Sequence, residues 1–186
     1  QFYDRFSDGD RRYGIAMTQV MLTALMRLAD ADALPFEFES LSKAVVRYLD
    51  EIRSQVPPGA LVDFRELQAE AARLTAAAKA YEAQVDSAVK RGGVSIAANE
   101  AIERTERASI LPDGLPEREW YRNQLYAPGI LTGYTAKTLP GVREAVEGKR
   151  WEEANQQAVR LAGALRAIAG QIERAGAALS PAVAGQ

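Results

Sequence analysis

Histidine and cysteine are both missing from the 186 residues. Without cysteine there is no disulfide and no thiolate nucleophile. Without histidine the chain lacks the side chain used most often to ligate zinc and to move protons near neutral pH. A mononuclear zinc hydrolase is therefore a poor fit. The other natural enzyme for a helical chain, a carboxylate-bridged di-metal bundle, needs Glu-x-x-His pairs that cannot exist here. No metal site and no catalytic residue are expected in this segment. An excess of one charge is missing as well. With 23 basic and 25 acidic residues, nothing favours nucleic acid or an anionic membrane. Long apolar runs are absent too, because charges interrupt them, as in Met26-Arg27-Leu28-Ala29-Asp30. No span of about 20 apolar residues exists, and no membrane contact by this segment is expected. The chain opens on Gln1 without Met or a signal sequence, so it is expected to be a segment of a longer protein. The compartment stays open.

What is present is helical periodicity. Residues 7–30 read as a first helix, with Ser7 or Asp8 as N-cap and Asp10 in the first turn. From Tyr13 to Ala29 its apolar residues lie nearly all round, and they include all three methionines. Such a helix should be buried centrally or against a partner. Leu34-Pro35-Phe36 breaks it. A second helix is expected over about 39–55, with Leu41, Val45, Tyr48, Leu49 and Ile52 inward, ended by Pro57-Pro58-Gly59.

Asp63 with Glu66 resembles a capping box opening a third helix. Its seam of Phe64, Leu67, Ala71, Leu74, Ala78, Tyr81, Val85 and Ala88 alternates steps of three and four. That spacing lets one helix lie along another at a shallow angle. Gly92-Gly93 stops it, and Ser95 can cap a fourth helix over about 96–108. The last helix repeats the device from Trp151 through Ala154, Ala158, Leu161, Leu165, Ile168, Ile172 and Ala175 to Leu179. The fold class expected is all-α: an antiparallel bundle of four to five main helices in a single domain over 1–186.

Residues 109–141 do not fit the bundle. They hold Pro112, Pro116, Pro128 and Pro140, four of the eight prolines, with Gly114, Gly129, Gly133, Gly141 and the aromatics Trp120, Tyr121, Tyr126 and Tyr134. Dense aromatics and mixed charge argue against disorder. A short helix near 117–123 and then an ordered loop held down by its aromatic side chains are expected. Whether the segment is a structural crossover or a binding loop stays open at this point. The paired carboxylates Asp50-Glu51, Glu117 with Glu119, and Glu152-Glu153 do not share helix faces, so they indicate solvated surface or dipole partners and no acid–base pair.

The order of residues in this loop carries a resemblance. Leu111-Pro112-Asp113-Gly114-Leu115-Pro116, Trp120-Tyr121-Arg122, Leu125-Tyr126-Ala127-Pro128, Tyr134 and Leu139-Pro140-Gly141-Val142 resemble the C-terminal domain of the glutamate carboxypeptidase and transferrin receptor family. Leu34-Pro35-Phe36 with Tyr48, Asp50 and Ile52 is similar at matching spacing. The resemblance implies a helical domain that forms a homodimer, beside a protease-like domain holding two zinc ions and the catalytic groups. It implies that residues 1–8, with Phe2-Tyr3-Asp4, are the tail of that protease-like domain and that the first helix is the junction between the domains. It also implies export or a membrane tether for the parent protein, and structural loop roles for Trp120, Tyr121, Arg122, Tyr126, Pro128, Pro140 and Gly141.

In the family the loop matching 127–139 reaches the substrate pocket, where a Lys-Tyr pair meets the substrate's C-terminal glutamate. Tyr134 matches the Tyr and is a candidate substrate contact or a packing residue. Gly133 stands where the Lys would be and supplies no charge for a carboxylate, so a less acid-selective peptidase is implied. Lys137 could replace the Lys only by re-routing the loop. The rival reading is a stand-alone helical interaction or adaptor module, which the heptads permit but which leaves 109–141 unexplained.

Overall fold

The computed structural model describes residues 2–131 and 135–179. The chain divides into two compact units, Gln1–Pro35 and Phe36–Gln186. The helical unit thus opens at Phe36, where the sequence suggested one domain with a tail ending at residue 8.

The first unit holds α1 (Phe2–Phe6) and α2 (Arg12–Ala29). The N-cap of α2 is Arg11 and not Ser7 or Asp8, but the Asp8 carboxylate accepts from the backbone N–H of Tyr13 at 3.0 Å and of Gly14 at 2.6 Å. The helix nevertheless starts later than the sequence suggests, because Arg11 takes a left-handed conformation with φ 60°. No residue of α2 is buried, and Met17, Met21, Leu25 and Met26 are all exposed. Within this unit the helix buries none of the apolar surface that the sequence suggested would be covered.

The second unit is the bundle: α3 (Phe38–Ser54), α4 (Arg65–Lys90), α5 (Ile96–Arg107), β1 (Tyr126–Pro128), β2 (Ala136–Thr138), α6 (Pro140–Glu147) and α7 (Trp151–Ala177). Each of the long helices buries most of the stripe its spacing specifies, with Leu41, Tyr48, Val85 and Trp151 only half-buried. Val45, Leu49 and Ile52 of α3 are buried, as are Leu67, Ala71, Leu74, Ala78, Tyr81 and Ala88 of α4. Ala154, Ala158, Leu161, Leu165, Ile168, Ile172 and Ala175 of α7 complete the core. A fully buried Leu or Ile contributes about 1.5–3 kcal/mol relative to exposure. The many seam alanines let the backbones approach closely.

Successive long helices alternate in direction. Phe38 packs edge-on against Tyr81, with ring centroids 5.4 Å apart, so α3 runs against α4. Ser95, at the start of α5, donates to the Ala178 carbonyl just past the end of α7 at 2.9 Å. The two rods α4 and α7, two steps apart in this succession, consequently run in the same direction. Asn155 clamps the entry to α4, accepting from Asp63 N–H at 2.7 Å and donating to the Leu61 carbonyl at 2.8 Å. Arg166 bonds Glu66 and Glu70 one stage further along, and Arg73 bonds Glu173 beyond that.

The capping at the helix starts differs in detail. Ser95 caps α5, accepting from Ala98 N–H at 3.2 Å. The capping box at Asp63 does not form, because Glu66 is drawn across to Arg166. Asp63 instead accepts from the Arg65 backbone N–H and chelates its guanidinium, which holds the Asp63 carboxyl down at about 2. Among the described residues no helix is long and apolar enough to cross a membrane.

Candidate functional site

The loop between α5 and α6 is the part of the bundle not explained by packing periodicity. The helix expected near 117–123 is absent. Glu117 has φ 61° and Gly114 φ 65°, and together with Pro112 and Pro116 they bend the chain into consecutive turns. Gly114 cannot be replaced without rearrangement, since a Cβ there would lie 2.1 Å from the Glu119 carbonyl oxygen. Isolated bridges tie Ile110 to Asn123 and Leu115 to Arg118. Beyond them β1 and β2 form a short antiparallel ribbon that the sequence did not announce, with Ala127 opposite Lys137.

The most deeply buried hold on this loop is an ion pair. Arg118 is only 4 % exposed. Its guanidinium donates to the Pro128 carbonyl at 2.6 Å and to the Glu144 carboxylate of α6. The other oxygen of Glu144 accepts from Ile130 N–H at 3.1 Å. Two side chains thereby fix the turn region, the ribbon and α6 to one another. Removing one member of such a pair strands a buried charge, at a cost of about 3–5 kcal/mol. Leu115, Ala127 and Leu139 add the apolar packing beneath, and Gln124 N–H donates to the Ser109 carbonyl at 2.9 Å.

The residues singled out from sequence fall around this anchor. Trp120 is 71 % exposed, and Tyr121 and Tyr126 also face solvent in part. Trp120 therefore does not hold the loop down, whereas the Tyr121 ring lies under the Arg118 guanidinium, whose Cζ is 6.0 Å from its centroid. Tyr121 and Arg122 also contribute through their main chain: the Tyr121 carbonyl accepts from Leu115 N–H and the Arg122 carbonyl from Leu111 N–H. The Tyr126 hydroxyl lies 3.3 Å from Glu106, and partial burial, then that carboxylate, raises its pKa. Pro128 supplies the carbonyl that Arg118 grips. Pro140 opens α6. Gly141 is buried against Gln157, whose Oε1 a Cβ would approach to 2.6 Å.

Lys137 is engaged with Glu147 at 2.8 Å. Tyr134 and Gly133 lie outside the described residues. Ahead of them the ribbon runs out into Ile130 and Leu131, the latter 92 % exposed. The sequence did not mark Arg118 or Glu144. An arginine flanked by two glutamates looks like solvated surface, and its partner lies 26 residues away.

Chemically the site is a rigid platform with apolar and aromatic side chains outward. Among the described residues no three His, Cys, Asp or Glu converge in a way that could hold a metal, so no step through zinc is assigned to this segment.

Comparison with known proteins matches this arrangement. The family described as the transferrin receptor-like dimerisation domain matches residues 62–173, which span α4, α5, the loop, α6 and most of α7. The chain belongs to this family. A protein of Arabidopsis thaliana named as a probable glutamate carboxypeptidase is 26% identical over 171 residues, covering 88% of this chain and 25% of that protein. One from Arthroderma benhamiae with the same designation is 28% identical over 162 residues, covering 84% of this chain and 22% of its own length. The dimerisation domain thus spans about a quarter of the length of the curated relatives it matches.

Proposed function

We propose that this chain is the homodimerisation domain of a two-zinc peptidase of the glutamate carboxypeptidase type, and that its loop 127–139 lines the substrate pocket of that enzyme. The domain itself carries no catalytic group in this reading. Zinc belongs to the protease-like domain of the parent chain, which is the domain's second partner after its own copy. The observation that supports it most is the loop. A long Pro/Gly/aromatic segment is pinned by the buried Arg118–Glu144 pair while presenting Ile130 and Leu131 outward. A plain crossover has no need of exposed apolar side chains on an anchored ribbon.

Light scattering on the purified chain is expected to give the mass of a dimer, and a monomer at every accessible concentration would refute the pairing. In the longer protein, Tyr134→Ala is expected to raise KM for peptides more than it lowers kcat. Gly133→Lys is expected to shift preference toward substrates ending in glutamate, because it restores a cation where a carboxylate would sit. Unchanged kinetics in both variants would leave the loop as a crossover and favour a stand-alone helical module.

A further inference from the structure

The cations of the ribbon β1–β2 and of α6 are already spoken for. Residues 127–139 contain one charged side chain, Lys137, and Glu147 of α6 holds its ammonium at 2.8 Å. Arg143, the basic residue of α6, donates to the Thr138 carbonyl at 2.9 Å and pairs with Glu51 of α3 at 3.0 Å. Only 11 % of its side chain is exposed. Arg118 is buried on Glu144 and the Pro128 carbonyl. Each of the three cations thus has a carboxylate of its own. An anionic side chain arriving at this ribbon would have to displace one of those carboxylates or be desolvated without a counter-charge, and both are unfavourable.

What the ribbon offers instead is apolar surface on a fixed backbone. Ile130 and Leu131 follow β1 closely, and both side chains are exposed. The Ile130 N–H is tied to Glu144 at 3.1 Å, and the Pro128 carbonyl to Arg118 at 2.6 Å. Between them Gly129 N–H donates across the ribbon to the Thr135 carbonyl at 3.4 Å. Apolar side chains whose main chain is already immobilised lose little further freedom when they are covered. A neutral apolar wall with its polar groups satisfied internally is the usual lining for an apolar ligand group.

We propose that the parent peptidase prefers peptides whose C-terminal side chain is apolar, and that Ile130 and Leu131 are the groups that meet it. The proposal rests on the reading that loop 127–139 lines the substrate pocket, and adds the substrate class. The terminal α-carboxylate is common to all such peptides, so the side chain alone decides the ranking. An apolar wall favours a leucine side chain by the area it covers and disfavours a glutamate by the charge it must strip of water.

The full-length enzyme can be assayed with acetyl-alanyl-leucine and acetyl-alanyl-glutamate, which differ only in that side chain. The leucine peptide is expected to have a kcat/KM about tenfold or more higher. Leu131→Lys should lower that ratio about tenfold or more, chiefly through KM, because it replaces apolar area with an unpaired cation. Ile130→Ser should weaken the leucine peptide alone. Lys137→Ala should leave the ratio as it is, since its ammonium is committed to Glu147. A preference for the glutamate peptide overturns the proposal; if Lys137→Ala then abolishes that preference, the loop still lines the pocket and reads the substrate through this cation. A ratio that neither Leu131→Lys nor Ile130→Ser changes means that the loop does not meet the substrate, and the reading beneath falls as well. A lowered Tm of Leu131→Lys in that case would put the tip against the protease-like domain.

Discussion

The α4–α7 seam and the 109–139 loop are held by opposite strategies. The seam spreads its stability over a dozen apolar residues at regular spacing, each replaceable at moderate cost. The loop concentrates its stability in Arg118 and Glu144, with one glycine that tolerates no side chain. The difference teaches that repetition makes a region both legible and tolerant, whereas a single buried contact makes a region neither.

The sharpest way to break this contrast is Arg118→Ala. It should cost about 3–5 kcal/mol by stranding Glu144, read as a lowered denaturant midpoint with faster hydrogen exchange confined to residues around 110–140. A loss within ~0.5 kcal/mol would mean that the loop, too, is held by distributed contacts. Leu165→Ala, in the middle of the seam and fully buried, should cost about 2–5 kcal/mol in the same measurement, with exchange increased throughout the bundle. Ser95→Ala removes the cap of α5 and should cost about 0.5–2 kcal/mol. Leu25→Ala on the exposed α2 should change the stability of this chain by no more than about 0.5 kcal/mol. A larger loss would show that α2 is covered in solution.

The smallest effect is a pH dependence. The Asp63 carboxyl is held below its ordinary value of 3.8, at about 2, first by the Arg65 side chain and then by the Arg65 backbone N–H. A carboxyl depressed on folding stabilises above the unfolded pKa, and that contribution is lost as pH falls through the folded one. Asp63→Asn should therefore flatten the stability profile between about pH 4 and about pH 2, as followed by thermal melts, lowering stability slightly at neutral pH and leaving it unchanged below about pH 2.

Legibility from sequence follows the same divide. The α4 and α7 seams were readable because a three–four spacing repeated over seven or eight steps has no other economical explanation. The same holds for Ser95, which stands directly before a periodic run. The helix expected at 117–123 was not real. Glu117, Arg118 and Glu119 favour helix locally, but Pro112, Pro116 and two positive φ angles override that propensity. The buried ion pair left no local signature, since neither partner lies in a periodic stretch. For α2, apolarity all round asks for cover, yet without a preferred face it does not say from where. Tyr134 was reachable only through the motif order of the loop, never from spacing.

The shared direction of α4 and α7 has an electrical consequence. Their peptide dipoles add instead of cancelling, so partial positive charge accumulates at the end of the bundle where both helices begin. Glu66, Glu152 and Glu153 occupy those first turns, with Asp63 just ahead. Because the opposing α3 and α5 are shorter, the unit should keep a net dipole moment along the rods, its positive pole met by these carboxylates.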